Sequence, residues 1–353
     1  MLDAAARELD RMRRSATTWH ELACENDSGG HDRKAVKRAK VLWAPQYDHR
    51  PGDLPLVRWL ARQEAVCRRE APFQGLTEET ELAGFLLATH RRVEDVWLHW
   101  DITRANFDTF RGYDREHLVA AGIRETVAFA GKTDHADRHE VLGLLLSEDG
   151  TPHTTEDDLA AWLSAKRRRF PSDPALEDPF TWVERAMLAG DRNLALCWLD
   201  CWAQGRPRND ATLSRLGHWL SDLGAFAEAA AVTRERLPLV TGAWDSASVH
   251  QTLARLEREA GAHDAAWEAL RECHRLLGDI PGLAGSRPRQ GVRAATVPAG
   301  GLGRAAAWPP RTRRGGRARR GGAETATRGV GSRRGRGLAA RRCRENRALP
   351  ESA

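Results

Sequence analysis

Three glycines near the middle of the chain, Gly190, Gly224 and Gly261, stand 34 and 37 residues apart, each between two amphipathic helical runs. Each is followed five residues later by an alanine: Ala195, Ala229 and Ala266. Helix–Gly–helix units at a period in the mid-thirties mark a stacked array of helical hairpins. Glycine permits the tight turn, and a small residue lets the two helices of a hairpin approach closely. Such arrays present an extended concave surface that binds other molecules. The spacing therefore constrains the fold to an all-α one and leaves the chemistry open.

The rest of the body carries the same helical period, with no run of alternating strand residues. Residues 2–14 place Leu2, Ala5, Ala6, Leu9 and Met12 on one side of a helix. Residues 45–55 read as a turn-rich linker between two prolines, and 106–112 as a break. Thr77 precedes Glu78 and Glu79, which suit the positive end of a helix. Thr155 and Asp158 form a near capping box. Pro171 and Pro174 close the helix that follows and open the repeat region. The expected organisation is an N-terminal helical domain over 1–172, the hairpin array over 173–280 and a disordered tail over 281–353.

Residues 210–239 resemble a tetratricopeptide repeat. Leu216-Gly217 matches the Leu-Gly pair of its first helix, and Leu220 takes the aromatic position. Gly224 is the turn, Phe226 the following aromatic and Ala229 the small crossing residue, with Pro238 near the closing proline. In the neighbouring units Trp182-Val183 and Leu253-Ala254 replace Leu-Gly, while the glycines and alanines fit. The resemblance covers roughly residues 179–278. It implies an α-solenoid that binds a protein or peptide partner, and so a non-catalytic scaffold or adaptor. Trp182, Trp198, Trp202, Trp219 and Trp267 are then expected as packing knobs between helical layers.

The net charge of +6 conceals a split. Residues 281–353 contain 18 Arg, no Lys and three Glu, a net of +15, which leaves −9 for the remainder. That segment also holds 14 of the 31 glycines, lacks Phe and Tyr, and has one Trp, Trp308. A segment so poor in large apolar groups cannot offset the entropy of ordering. Three readings fit: a neutral extension, an arginine-glycine arm for nucleic acid, and out-of-frame translation of GC-rich DNA. The abrupt end of helical patterning near Ile280 favours the last. An arm of this kind, with the cations at 33–40, would make the protein a nucleic-acid-associated one, its affinity falling steeply with salt.

No window approaches ~18 consecutive apolar residues, so no membrane span is expected. The first residues lack the apolar core of a secretory signal, and a cytoplasmic location follows. The six cysteines are then reduced, and Cys197 and Cys201 lack the spacing of a zinc knuckle. His135 and His139 share the spacing of a metal-binding helix without the glutamate of a metalloprotease. The densest polar–aromatic stretch, 97–114, carries Asp101, Arg104 and Asp108 at helical spacing. These three are the candidate partner- or ligand-binding residues; a carboxylate pair flanking an arginine could also serve acid–base chemistry, the enzyme alternative. No phosphate-loop, dinucleotide or nucleophile-elbow motif appears. No catalytic set, cofactor or metal is expected from the sequence.

Overall fold

The computed structural model describes residues 1–71 and 75–280. The expected tail, 281–353, lies outside the described residues, as does every reading placed on it. Among the described residues the protein is all-helical. No β-strand forms there, and extended pairing is confined to the bridges Asn26–Asp32 and Leu146–Pro152. The residues group into two units that divide between Glu177 and Asp178.

The first unit begins with α1 (Leu2–Arg14), whose Ala5, Leu9 and Met12 are buried as the 3/4 spacing requires. A 3-10 turn (Ala16–Leu22) leads to α2 (Ala35–Tyr47), which packs on α1. The chain does not break at Pro45 as expected; α2 runs through it. Pro45 lies in the last turn, so its missing N–H removes one hydrogen bond near an end that frays in any case. Next come α3 (Leu54–Glu70) and α4 (Glu78–Thr89), with Thr77 accepting a bond from the Thr80 N–H at 3.3 Å. The core here is Leu9, Met12, Leu22, Leu42, Trp43, Leu60, Leu82 and Leu87, with Phe85 stacked on Phe170.

α5 (Val96–Thr103) packs on α3. The break expected at 106–112 is a short helix, α6 (Phe107–Gly112). Asn106 caps it reciprocally: its side chain accepts the Thr109 N–H, and Thr109 Oγ1 accepts the Asn106 N–H, both at 2.9 Å. α7 (Ile123–Lys132), α8 (Arg138–Leu145) and α9 (Glu156–Arg169) surround a second core of Val96, Trp100, Leu118, Ile123, Val141, Leu145 and Leu163. The end of the unit is tied back to α2. Gln46 donates to the Pro171 carbonyl at 3.0 Å and to Glu177 at 2.9 Å, and the Tyr47 hydroxyl donates to Glu177 at 2.6 Å.

The second unit holds α10 (Pro179–Leu188), α11 (Arg192–Gln204), α12 (Asp210–Asp222), α13 (Phe226–Arg236), α14 (Ala243–Glu259) and α15 (His263–Gly278). They pair in chain order: α10 with α11, α12 with α13, α14 with α15. The three turns share one hydrogen-bond pattern. Asp191, Ala225 and Ala262 each donate to the carbonyl five residues back, at 2.8–2.9 Å. Gly190, Gly224 and Gly261 each donate to the carbonyl three residues back. Their φ angles of +77°, +70° and +80° are left-handed, where a Cβ is strained.

Ala195 and Ala229 are fully buried, and Gly217 approaches α13 closely enough that a Cβ would meet Thr233 Oγ1 at 3.3 Å. Ala266 is only half-buried; the buried positions of α15 are Ala269 and Cys273. Trp182, Trp202 and Trp219 are buried knobs and Trp198 is half-buried against Trp182. Trp267 departs from that role, being 64% exposed.

Candidate functional site

The face that α14 and α15 leave open carries a groove of about 340 Å³. Trp244, Ala247, Leu270, Cys273 and Leu277 make it apolar; Ser248, Gln251 and His274 supply polar groups. Trp244 is 63% exposed and Leu270 44%, with Trp267 exposed on the same helix as Leu270. The heptad logic of α15 accounts for this. Ala269 and Cys273 face α14, whereas Trp267 and Leu270 lie outside that stripe and have no helix beyond them among the described residues. Burial pushes the Cys273 thiol above its ordinary pKa, so it behaves as an apolar group.

The residues singled out from sequence are only partly brought together. Arg104 ends α5 and donates to Asp101 Oδ1 at 3.2–3.3 Å. Its second carboxylate is Asp137, 2.6 Å away, which also accepts the Trp100 indole N–H at 3.1 Å. No hydrogen bond or ion pair among the described residues joins Asp108 to either. Asp108 is on α6, exposed between Phe107 and Phe110, themselves 75% and 51% exposed. Exposed pairs of the Asp101–Arg104 kind contribute about 0–1 kcal/mol. His135 precedes α8 and stacks on Trp97, centroids 3.9 Å apart and planes 7° apart, so it and His139 do not share a helical face.

The cations at 33–40 are largely consumed by carboxylates. Lys34 pairs with Glu25 at 2.7 Å, Lys37 with Glu21 at 2.6 Å, and Arg33 approaches Glu25 at 4.0 Å. Arg38 is fully buried between Asp32 at 2.6 Å and Glu64 at 2.7 Å. Burial works against its charge, but the two carboxylates outweigh burial and keep its pKa above the ordinary arginine value. Burial likewise opposes ionisation of Glu64, and Arg38 and Arg68 overcome it, holding the carboxyl below its usual range. Thr80 adds a hydroxyl bond to Glu64 at 2.8 Å.

A second buried polar cluster lies around α4. His99 Nδ1 and the Tyr113 hydroxyl are 2.7 Å apart, with one proton between them. His117 stacks on Tyr113 at 4.2 Å and meets the Trp162 ring edge-on at 4.7 Å. Burial lowers His99 to about 3. Burial, His99 and Lys166 hold His117 well below 6.5, and burial keeps Tyr113 well above its ordinary pKa. Neutral imidazoles locked in this way are poor proton carriers near neutral pH. The Arg38–Glu64 cluster was not visible in the sequence, because its members come from segments far apart along the chain; His99 and Tyr113 do fall in the polar–aromatic stretch 97–114, but no helical period pairs them.

No protein-family model matches the chain, and neither a curated protein nor a solved structure matches it. Among the described residues no helix is long and apolar enough to cross a membrane.

Proposed function

We propose that the chain is a non-catalytic scaffold or adaptor that holds a protein or peptide partner on its helical hairpins. The three hairpins are taken together as a tetratricopeptide-like solenoid. Support comes from the hydrogen-bond pattern common to the turns at Gly190, Gly224 and Gly261 and from their similar spacing. The observation that carries the proposal is the open groove of α14 and α15, where Trp244 and Leu270 stand exposed beside Ser248, Gln251 and His274. An apolar floor with a few polar edges suits the apolar face of an amphipathic helix. Such a scaffold would work in the cytoplasm.

The test compares the full chain with Trp244→Ser and Leu270→Asp in affinity capture, followed by titration of whatever binds. Both side chains are exposed, so both variants should melt as the parent does. A partner should bind each variant more weakly, by about 2 kcal/mol for an anchor residue. Equal binding by parent and both variants removes the groove from the proposal.

A further inference from the structure

Three donor groups from separate segments converge in the first unit. Cys24 follows the 3-10 turn, Asp32 closes the loop before α2, and Cys67 lies in the last turns of α3. The two sulfurs and a carboxylate oxygen all lie within 4.8 Å of one another. Cys67 is fully buried and Cys24 half-buried. Asn26 adds a fourth group. Its amide N–H donates to Glu70 at 2.7 Å, which leaves Oδ1 facing Cys24 Sγ at 3.9 Å.

We propose that Cys24, Cys67 and Asp32 form a binding site for a thiophilic divalent cation, zinc or cadmium by class, with Asn26 Oδ1 or a water in the fourth position. Tetrahedral thiolate coordination with bonds of ~2.3 Å brings two sulfurs to about 3.8 Å from each other. Donor atoms that already lie within 4.8 Å of one another need draw together by at most about 1 Å. Asp32 is already held in place. Its Oδ1 accepts the backbone N–H of Glu25 at 3.2 Å and of Lys34 at 2.9 Å, and its Oδ2 faces Arg38 at 2.6 Å. Outer hydrogen bonds of this sort orient metal ligands and raise affinity.

The charge balance favours the same cation. With both thiols protonated, Asp32 and Glu64 are neutralised by Arg38 and Arg68. Metal binding releases one proton from each thiol to solvent and inserts two positive charges, so the buried cluster is neutral before and after. No electron is transferred. Burial, aided by the neighbouring Cys67 and Asp32, pushes the free Cys24 thiol up to about 12, and burial also raises Cys67. Because a coordinating thiol gives up its proton, affinity should rise with pH.

The test uses the full chain, reduced and stripped of metal by a chelator, titrated with cadmium chloride. A thiolate-to-cadmium ultraviolet band should saturate near about one equivalent, with about two protons released. Cys24→Ser and Cys67→Ser should each weaken binding at least about tenfold, and Asp32→Asn by about tenfold, while Cys201→Ser and Cys273→Ser should leave it unchanged. If the variants at 24, 67 or 32 lose helical circular dichroism, the parent alone decides. Zinc chloride should slow maleimide labelling of Cys24, mapped by mass spectrometry, at least about tenfold. Absence of the band, its survival in Cys24→Ser, or labelling of Cys24 unaffected by zinc overturns the site.

Discussion

Gly84 lies in the middle of α4, where alanine is the better helix former by about 0.5–1 kcal/mol. Space explains the glycine. A Cβ there would fall 2.8 Å from Tyr113 Cε2 and Cζ and closer still to its oxygen. Tyr113 cannot retreat, because His99 bonds its hydroxyl and His117 stacks on its ring. Gly84→Ala should therefore lower stability by about 1–3 kcal/mol despite the gain in propensity; chemical denaturation measures the difference, and an unchanged midpoint removes the close contact. His99 gives a pH prediction at the same scale. Its folded pKa of about 3 lies below the unfolded 6.5, so the unfolded chain binds the extra proton in that window. Stability is then full above pH 6.5 and falls as pH drops, by about 1.4 kcal/mol per unit for this one group. His90, held to about 4 by burial and by His49, acts in the same direction. In His99→Asn the slope of stability against pH between 4 and 6 should shrink by about one proton. An unaltered slope would mean that His99 is protonated in the folded protein.

At the scale of elements, the crossing of α12 and α13 is the tightest test of the hairpin geometry. Ala229 is fully buried, its carbonyl accepts from Thr233 Oγ1 at 2.8 Å, and Gly217 faces the same helix. Ala229→Leu inserts three carbons at a fully buried crossing and should cost about 1–3 kcal/mol. A variant melting at the parent temperature would contradict the close crossing. Turns of this kind are legible from sequence because one residue type, glycine, answers one backbone need, a left-handed φ. The caps at Thr77 and Thr155 are legible for the same reason: a side-chain oxygen meets a local N–H. Elsewhere local rules lose to packing. Pro45 suggested a linker, yet buried neighbours Trp43, Ala44 and Gln46 keep α2 intact around it. Trp267 suggested a knob, but α15 has no described layer against that face. Asp101 and Arg104 do pair, three residues apart on one element; their third partner is Asp137 rather than Asp108, and no local period could indicate that. Cys24 and Cys67 stand 43 residues apart with no motif between them, so their approach is a property of how α3 packs against the segment after α1.

For the whole molecule the charge split sets the final prediction. The chain as given carries +6 and has an isoelectric point near 9.3, whereas residues 1–280 alone carry −9. Every described helix ends by Gly278. A chain ending at Asp279 should accordingly keep the helical circular dichroism of the parent per molecule, while its isoelectric point moves to the acidic side. Binding to polyanions should separate the two forms sharply. The parent should be retained on a polyanion at low salt and released as ionic strength rises, since exposed charges are screened beyond about 8 Å at physiological salt. The shortened chain should pass through, because it carries a net −9 and Arg33, Lys34, Lys37 and Arg38 are already engaged by Glu8, Glu21, Glu25, Asp32 and Glu64. The melting temperature is the informative second readout. The open face of α14 and α15, with Trp244, Trp267 and Leu270 exposed, is the surface whose covering would stabilise the second unit most. If residues 281–353 add nothing to the fold, the shortened chain melts with the parent. A clearly lower melting temperature would mean that residues 281–353 do contribute to the fold, and the partner-binding test at Trp244 and Leu270 would then have to be repeated on the shortened chain, where that face is free.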